Sequence, residues 1–113
     1  MKGRRHKYNA NPKIVEVDGK PVRFASSIEA DHYLDLLAEQ RLGLIGEIEL
    51  QPEFKFVIDG VKMRNRYVAD FRFFDHRTGK VRVIDVKGYD TPYGKFKRKL
   101  AELLHGITVE IVK

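Results

Sequence analysis

Cysteine is missing from the 113 residues, which excludes a disulfide framework and a thiolate zinc site and suits a reducing interior. No apolar run approaches the roughly 18 residues a helix needs to cross a bilayer. The basic start, Met1-Lys2-Gly3-Arg4-Arg5-His6-Lys7, has no hydrophobic segment behind it, so it does not read as a secretory signal. Repeats and low-complexity stretches are absent. The four histidines, His6, His32, His76 and His105, lack the spacing of a metal motif such as His-Glu-x-x-His, and they read as surface or helix-end residues. Residues 1–13 contain no acid, only Lys2, Arg4, Arg5, Lys7 and Lys13 among the charges.

What is present is an ordinary globular composition, 42% hydrophobic and 34% charged, with a net charge of +6. The length suits one domain with a modest core, with residues 1–13 as a basic arm and 14–113 as the folded domain. A basic excess favours a polyanionic partner. Nucleic acid fits better than a membrane surface, because no strongly amphipathic helix with an aromatic apolar face accompanies the charge. Arg4, Arg5 and Lys7 in the arm can follow phosphates. Lys95, Lys97, Arg98 and Lys99 form a second basic cluster at the start of a helix, where amides and side chains both reach phosphates.

Local signals outline the elements. Ile14–Val17 and Pro21–Phe24 flank Asp18-Gly19 and read as a hairpin. Ser26-Ser27-Ile28-Glu29 has capping-box spacing and opens a helix over about 27–42, with Ala30, Leu34, Leu37, Ala38 and Leu42 as its apolar stripe and Gly43 or Gly46 ending it. Glu53–Ile58 runs into Asp59-Gly60, a second hairpin signal, and Val61–Asn65 returns. Tyr67–Phe74 and Val81–Val86 read as two further strands joined by the turn Asp75–Gly79. Thr91 or Pro92 opens a helix through Phe96, Leu100, Leu103 and Leu104, closed by Gly106, and Ile107–Val112 is a last strand. A strand after a crossover helix lies parallel to its neighbour. The expected fold is therefore α/β (α+β): a mixed β-sheet with a helix on either side.

The chain is organised around Val81-Arg82-Val83-Ile84-Asp85-Val86-Lys87-Gly88. Alternation puts Asp85 and Lys87 on the same face of a β-branched, buried-type strand, and a charge there needs a partner, a metal or an opening to solvent. The preceding strand carries Asp70. Two carboxylates on neighbouring strands, a backbone carbonyl between Asp85 and Lys87, and water make an oxygen shell suited to Mg²⁺. Lys87 can orient a water or neutralise charge on a phosphate. The opposing reading pairs Asp70 and Asp85 with Arg72, Arg82 or Lys87 on a solvated face. Glu29 is either a cap bonding back to Ser26 or a third carboxylate. Gln51, before Pro52, either approaches the site or is a strand-end residue without a role. Tyr89 and Tyr93 flank the loop after Lys87, as rim packing or as a stacking surface for a splayed base.

These residues resemble the PD-(D/E)xK nuclease superfamily, with Asp70 as its first acidic residue and Asp85-Val86-Lys87 as its (D/E)-x-K; Ala69 stands where the motif has proline. More narrowly, the chain resembles a family of small phage-encoded nucleases. That resemblance rests on Lys7-Tyr8-Asn9-Ala10, Phe24–Ala30, Leu50-Gln51-Pro52-Glu53-Phe54, Tyr67–Phe71, Val83–Gly88 and Lys97-Arg98-Lys99-Leu100. The family is similar in pattern to archaeal-type Holliday-junction resolvases. The resemblance implies a restriction-endonuclease-like sheet flanked by two helices and a homodimer in the cytoplasm, of the host cell if phage-encoded. It also implies a Mg²⁺- or Mn²⁺-dependent endonuclease acting on branched DNA such as a four-way junction. Glu29, Asp70 and Asp85 are then metal ligands and Lys87 the catalytic lysine. Nicking or restriction of ordinary duplex, and DNA binding without catalysis, are the other outcomes the same residues allow.

Overall fold

The computed structural model describes residues 11–113. The basic residues Arg4, Arg5 and Lys7 lie outside the described residues. The first hairpin is β1 (Lys13–Val17) and β2 (Lys20–Phe24). Its Asp18-Gly19 turn has φ of 50° and 79°, the doubly positive pattern of a tight type I′ connection. α1 (Ser27–Arg41) follows, capped by Ser26, whose Oγ accepts the Glu29 N–H at 3.1 Å. Gly43, at φ 78°, releases the chain from the helix.

The central sheet has the order β3-β6-β7-β8, made of β3 (Glu49–Leu50), β6 (Phe71–Asp75), β7 (Lys80–Val86) and β8 (Val109–Val112). β6 and β7 are antiparallel, with Phe71 opposite Ile84. β8 runs parallel to β7, with Asp85 beside Ile111, because α2 (Pro92–His105) intervenes as a crossover. Thr91 caps α2 and Gly106 ends it in the left-handed region at φ 64°. The structure is thus a mixed α+β fold with two helices and a mixed sheet. Among the described residues no helix is long and apolar enough to cross a membrane.

Successive side chains of β7 go to opposite faces, and two cores result. Ile84 joins Phe24, Ala30, Tyr33, Leu37, Phe71 and Phe73 beneath α1. Val83 joins Phe54, Phe56, Tyr67, Ala101 and Val109 beneath α2. The helices therefore cover opposite faces of the sheet. The expected stripe of α1 is corrected by this packing. Leu34 and Leu42 are exposed, and the buried face is Ala30, Tyr33, Leu36 and Leu37, because Tyr33 stacks on Phe71 at 6.0 Å and contacts Phe24 at 5.0 Å.

A second correction concerns the strand expected over Tyr67–Phe74. It is broken at Ala69–Asp70. Before the break, β5 (Val61–Val68) pairs with β4 (Glu53–Ile58) in a separate two-stranded sheet. After it, β6 pairs with β3 and β7. Backbone bonds hold the break: Ala69 N–H to the Pro52 carbonyl at 3.1 Å, Asp70 N–H to the Ile84 carbonyl at 3.0 Å, and Gln51 N–H to the Asp70 carbonyl at 2.9 Å. Asp70 therefore sits where two sheets meet, next to the end of β7, rather than in mid-strand.

Candidate functional site

Three acids converge on that junction from three elements. Glu29 comes from the first turn of α1, placed by the Ser26 cap, and is buried. Asp70 comes from the β5–β6 break, and its Oδ2 accepts the Val86 N–H at 2.6 Å. Asp85 comes from β7 and is only 2% exposed. The Glu29 and Asp85 carboxyls both lie near enough to Asp70 to act on its charge.

The electrostatics follow from burial. Asp70 is pushed up to about 8, first by burial, then by the charge of Glu29, with Asp85 adding to it and the Val86 N–H opposing. Glu29 is raised as well, by burial and by the Asp85 charge, against the hydrogen bond from Asp70. Burial and the neighbouring carboxyls together favour the neutral form of Asp70. Asp85 has two donors on one oxygen. The Tyr67 hydroxyl hydrogen-bonds Oδ2, and Lys87 Nζ lies 3.4 Å from it. Burial and the contact with Asp85 raise the Tyr67 phenol, so it stays a neutral donor.

The alternative pairing with sheet arginines does not occur. Arg72 bonds Glu49 at 2.7 Å. Arg82 bonds Glu110 at 2.7 Å and Asp75 at 3.2 Å. Lys87 is the cation that meets the cluster at ion-pair distance. Asp75 provides an internal comparison, since it is as deeply buried as Asp85 but is held by both Arg77 and Arg82. Those hydrogen bonds pull it down to about 2. Asp75 is matched by two guanidinium groups, whereas Glu29, Asp70 and Asp85 together meet one ammonium, Lys87, at ion-pair distance among the described residues. A structural ion network looks like the first, and a site that awaits a cation looks like the second.

A family model described as "Protein of unknown function (DUF1064)" matches residues 5–107. The chain belongs to that family. The match takes in Glu29, Asp70, Asp85 and Lys87. No curated protein and no solved structure matches the chain.

Two members of this DUF1064 site carry weak signals in the sequence. Tyr67 is the buried position of a strand otherwise exposed along its length, and an aromatic after Arg64-Asn65-Arg66 was its only mark. Gln51 lines a cavity of about 170 Å³ together with Arg23, Glu29 and Asp70. It also has φ 51°, a left-handed conformation costing a non-glycine residue on the order of 1 kcal/mol. The residue before a proline ordinarily takes extended backbone, so Gln51 is held there by its bond to Asp70. The helical basic cluster is divided. Arg98 is committed to Asp90 by two bonds, at 2.8 and 3.0 Å. Lys99 is exposed and 3.9 Å from Glu102. Lys95 is exposed, and Lys97 lines a cavity that also includes Lys87.

The donor set is oxygen throughout, which suits a hard divalent cation. As they stand, no three His, Asp or Glu side chains among the described residues form a group that could hold a metal ion. Mg²⁺ does not require three, since it usually keeps several waters and takes one or two carboxylates. Asp70 and Asp85 fit that pattern as carboxylates.

Proposed function

We propose that the protein is a metal-dependent DNA endonuclease of the PD-(D/E)xK type, acting on branched DNA such as a four-way junction. The observation that carries this reading is the contrast between Asp75, matched by two arginines, and the Glu29–Asp70–Asp85 cluster, which among the described residues has Lys87 alone at ion-pair distance. Asp70 and Asp85 would hold Mg²⁺ or Mn²⁺, with Glu29 as a third ligand or as the group that positions Asp70 from behind. A divalent cation bound there supplies Lewis-acid polarisation of the phosphate and a more acidic water.

The protein's own groups do the rest. Tyr67 fixes the Asp85 carboxylate through its hydroxyl. Lys87, partly exposed beside Asp85, offers its ammonium to the phosphate as negative charge builds on it. Water adds to phosphorus and one P–O ester bond breaks, leaving one phosphate end and one hydroxyl end. Two copies related by a two-fold axis give two sites for paired nicks across a junction, so the homodimer belongs to this proposal. A cysteine-free chain of this kind suits the reducing cytoplasm, that of the host cell if the protein is phage-encoded.

The test is cleavage of an end-labelled four-way junction and of a linear duplex with the same arm sequence, in Mg²⁺, in Mn²⁺ and in chelator. Junction-selective nicking that stops in chelator is expected. Equal cutting of both substrates makes the protein a duplex nuclease instead, and tight binding without cutting in either metal makes it a binding protein.

A further inference from the structure

A cavity of about 530 Å³ opens between β5 and the start of α2, on the Lys87 side of the carboxylates. Its lining includes Arg64, Arg66, Lys87 and Lys97 and no carboxylate residue. Two other cavities among the described residues are mixed in sign: Arg23 stands with Glu29 and Asp70 in one, and Lys80 and Arg82 with Glu110 in the other. A concave surface of one sign focuses potential and concentrates counter-charge.

The cations there are available. Arg64 is exposed and has no carboxylate partner among the described residues. Among the described residues Arg66 has an exposed pair with Glu53 at 3.3 Å, and such pairs contribute little. Lys97 lies over the Tyr93 ring at 4.6 Å. The walls are also fixed relative to one another, because Asn65 of β5 hydrogen-bonds the Tyr93 hydroxyl of α2. Arg64 and Arg66 share the face of β5 opposite Asn65 and Tyr67 and border the cavity from its outer side, with backbone positions about 6–7 Å apart, a spacing comparable to that of successive phosphates along one nucleic-acid strand. The groove is polar and open, which does not suit an apolar peptide.

We infer that this groove is the track for the sugar–phosphate backbone of one DNA strand. Arg64, Arg66 and Lys97 hold its phosphates and lead it past Lys87. The inference rests on the nuclease reading for the direction of the strand toward the carboxylates. Phosphate binding itself can be measured with cleavage switched off.

The experiment uses full-length Asp85→Asn protein in chelator and a fluorescein-labelled four-way junction, with anisotropy recorded across a series of salt concentrations. Adding Arg64→Gln and Arg66→Gln is expected to weaken binding about tenfold or more and to reduce the slope of log K against log salt by about 2, near one per lost phosphate contact. Lys97→Gln alone should reduce the slope by about 1. Lys20→Gln with Lys80→Gln, which removes two cations outside the groove, should weaken binding less and equally at any site. Glu53→Gln, which frees Arg66, should hold or tighten binding. The arginines lie on an exposed strand, and unchanged melting curves show that the fold is kept. If the arginine pair and the Lys20/Lys80 control give the same affinity and slope, the track is overturned while the nuclease reading stands. If the Asp85→Asn protein binds no DNA in any salt, both fail.

Discussion

Asp85→Asn is expected to slow junction cleavage by at least about 10³-fold, equivalent to about 4 kcal/mol of transition-state stabilisation, with junction affinity within a few-fold of the parent. Asparagine keeps the shape and still accepts the Tyr67 hydroxyl, but it removes the charge that attracts both a divalent cation and the Lys87 ammonium. Lys87→Ala should cost a similar factor for a different reason, because it leaves the metal ligands and removes the positive group facing the phosphate. Single-turnover cleavage, anisotropy and far-UV circular dichroism on the same preparations separate the possibilities. Variants that cut at the parent rate place the chemistry elsewhere. Variants that lose the fold as well as activity make the cluster a structural ion group.

Asp70→Asn is expected to abolish cleavage and yet raise thermal stability at alkaline pH in chelator. Asp70 has its native pKa raised to about 8 from the ordinary 3.8. Between those values the native state holds a proton that the unfolded chain has lost. The contribution of this group is therefore full below about pH 4 and is lost as pH rises through 8. Asparagine never ionises, and its carbonyl still accepts the Val86 N–H. The variant should match the parent at pH 4 and gain progressively up to pH 8.5. The gain is read as a rise in melting temperature with pH, its sign set by the raised Asp70 pKa. Added Mg²⁺ should narrow the gap, because a cation bound to the native state stabilises the parent by mass action. Equal melting temperatures at both pH values would show that the three carboxyls are not crowded together in solution.

Both experiments rest on the same arrangement, and the sequence displays only part of it. The cluster requires Glu29, Asp70 and Asp85 to meet although each lies on a different element. Tyr67 completes it from β5, just before the break that holds Asp70. Local chemistry determined the pieces: Asp18-Gly19 and Asp59-Gly60 force tight turns, Ser26 and Thr91 start the helices, and Gly106 stops the second. Two-residue alternation alone put Asp85 beside Lys87, as the 3.4 Å contact shows. The parallel pairing of β8 followed from the crossover helix between it and β7.

The tertiary structure decided what depends on distant partners. Tyr67–Phe74 has the composition of one unbroken strand, and it breaks at Asp70 because β4 claims the residues before it while β3 and β7 claim those after. The buried face of α1 turned toward Tyr33 because Phe24 and Phe71 wait for it across the core. Arg98 left the basic cluster for Asp90, and Arg64 and Arg66 came to line one cavity with Lys87 and Lys97 only when β5 packed beside α2. Turns, caps and strand faces are set by a few neighbouring residues and can be read from them. Which arginine finds an acid, and which acids are left facing one another, is settled by the competition of all partners for the same buried space.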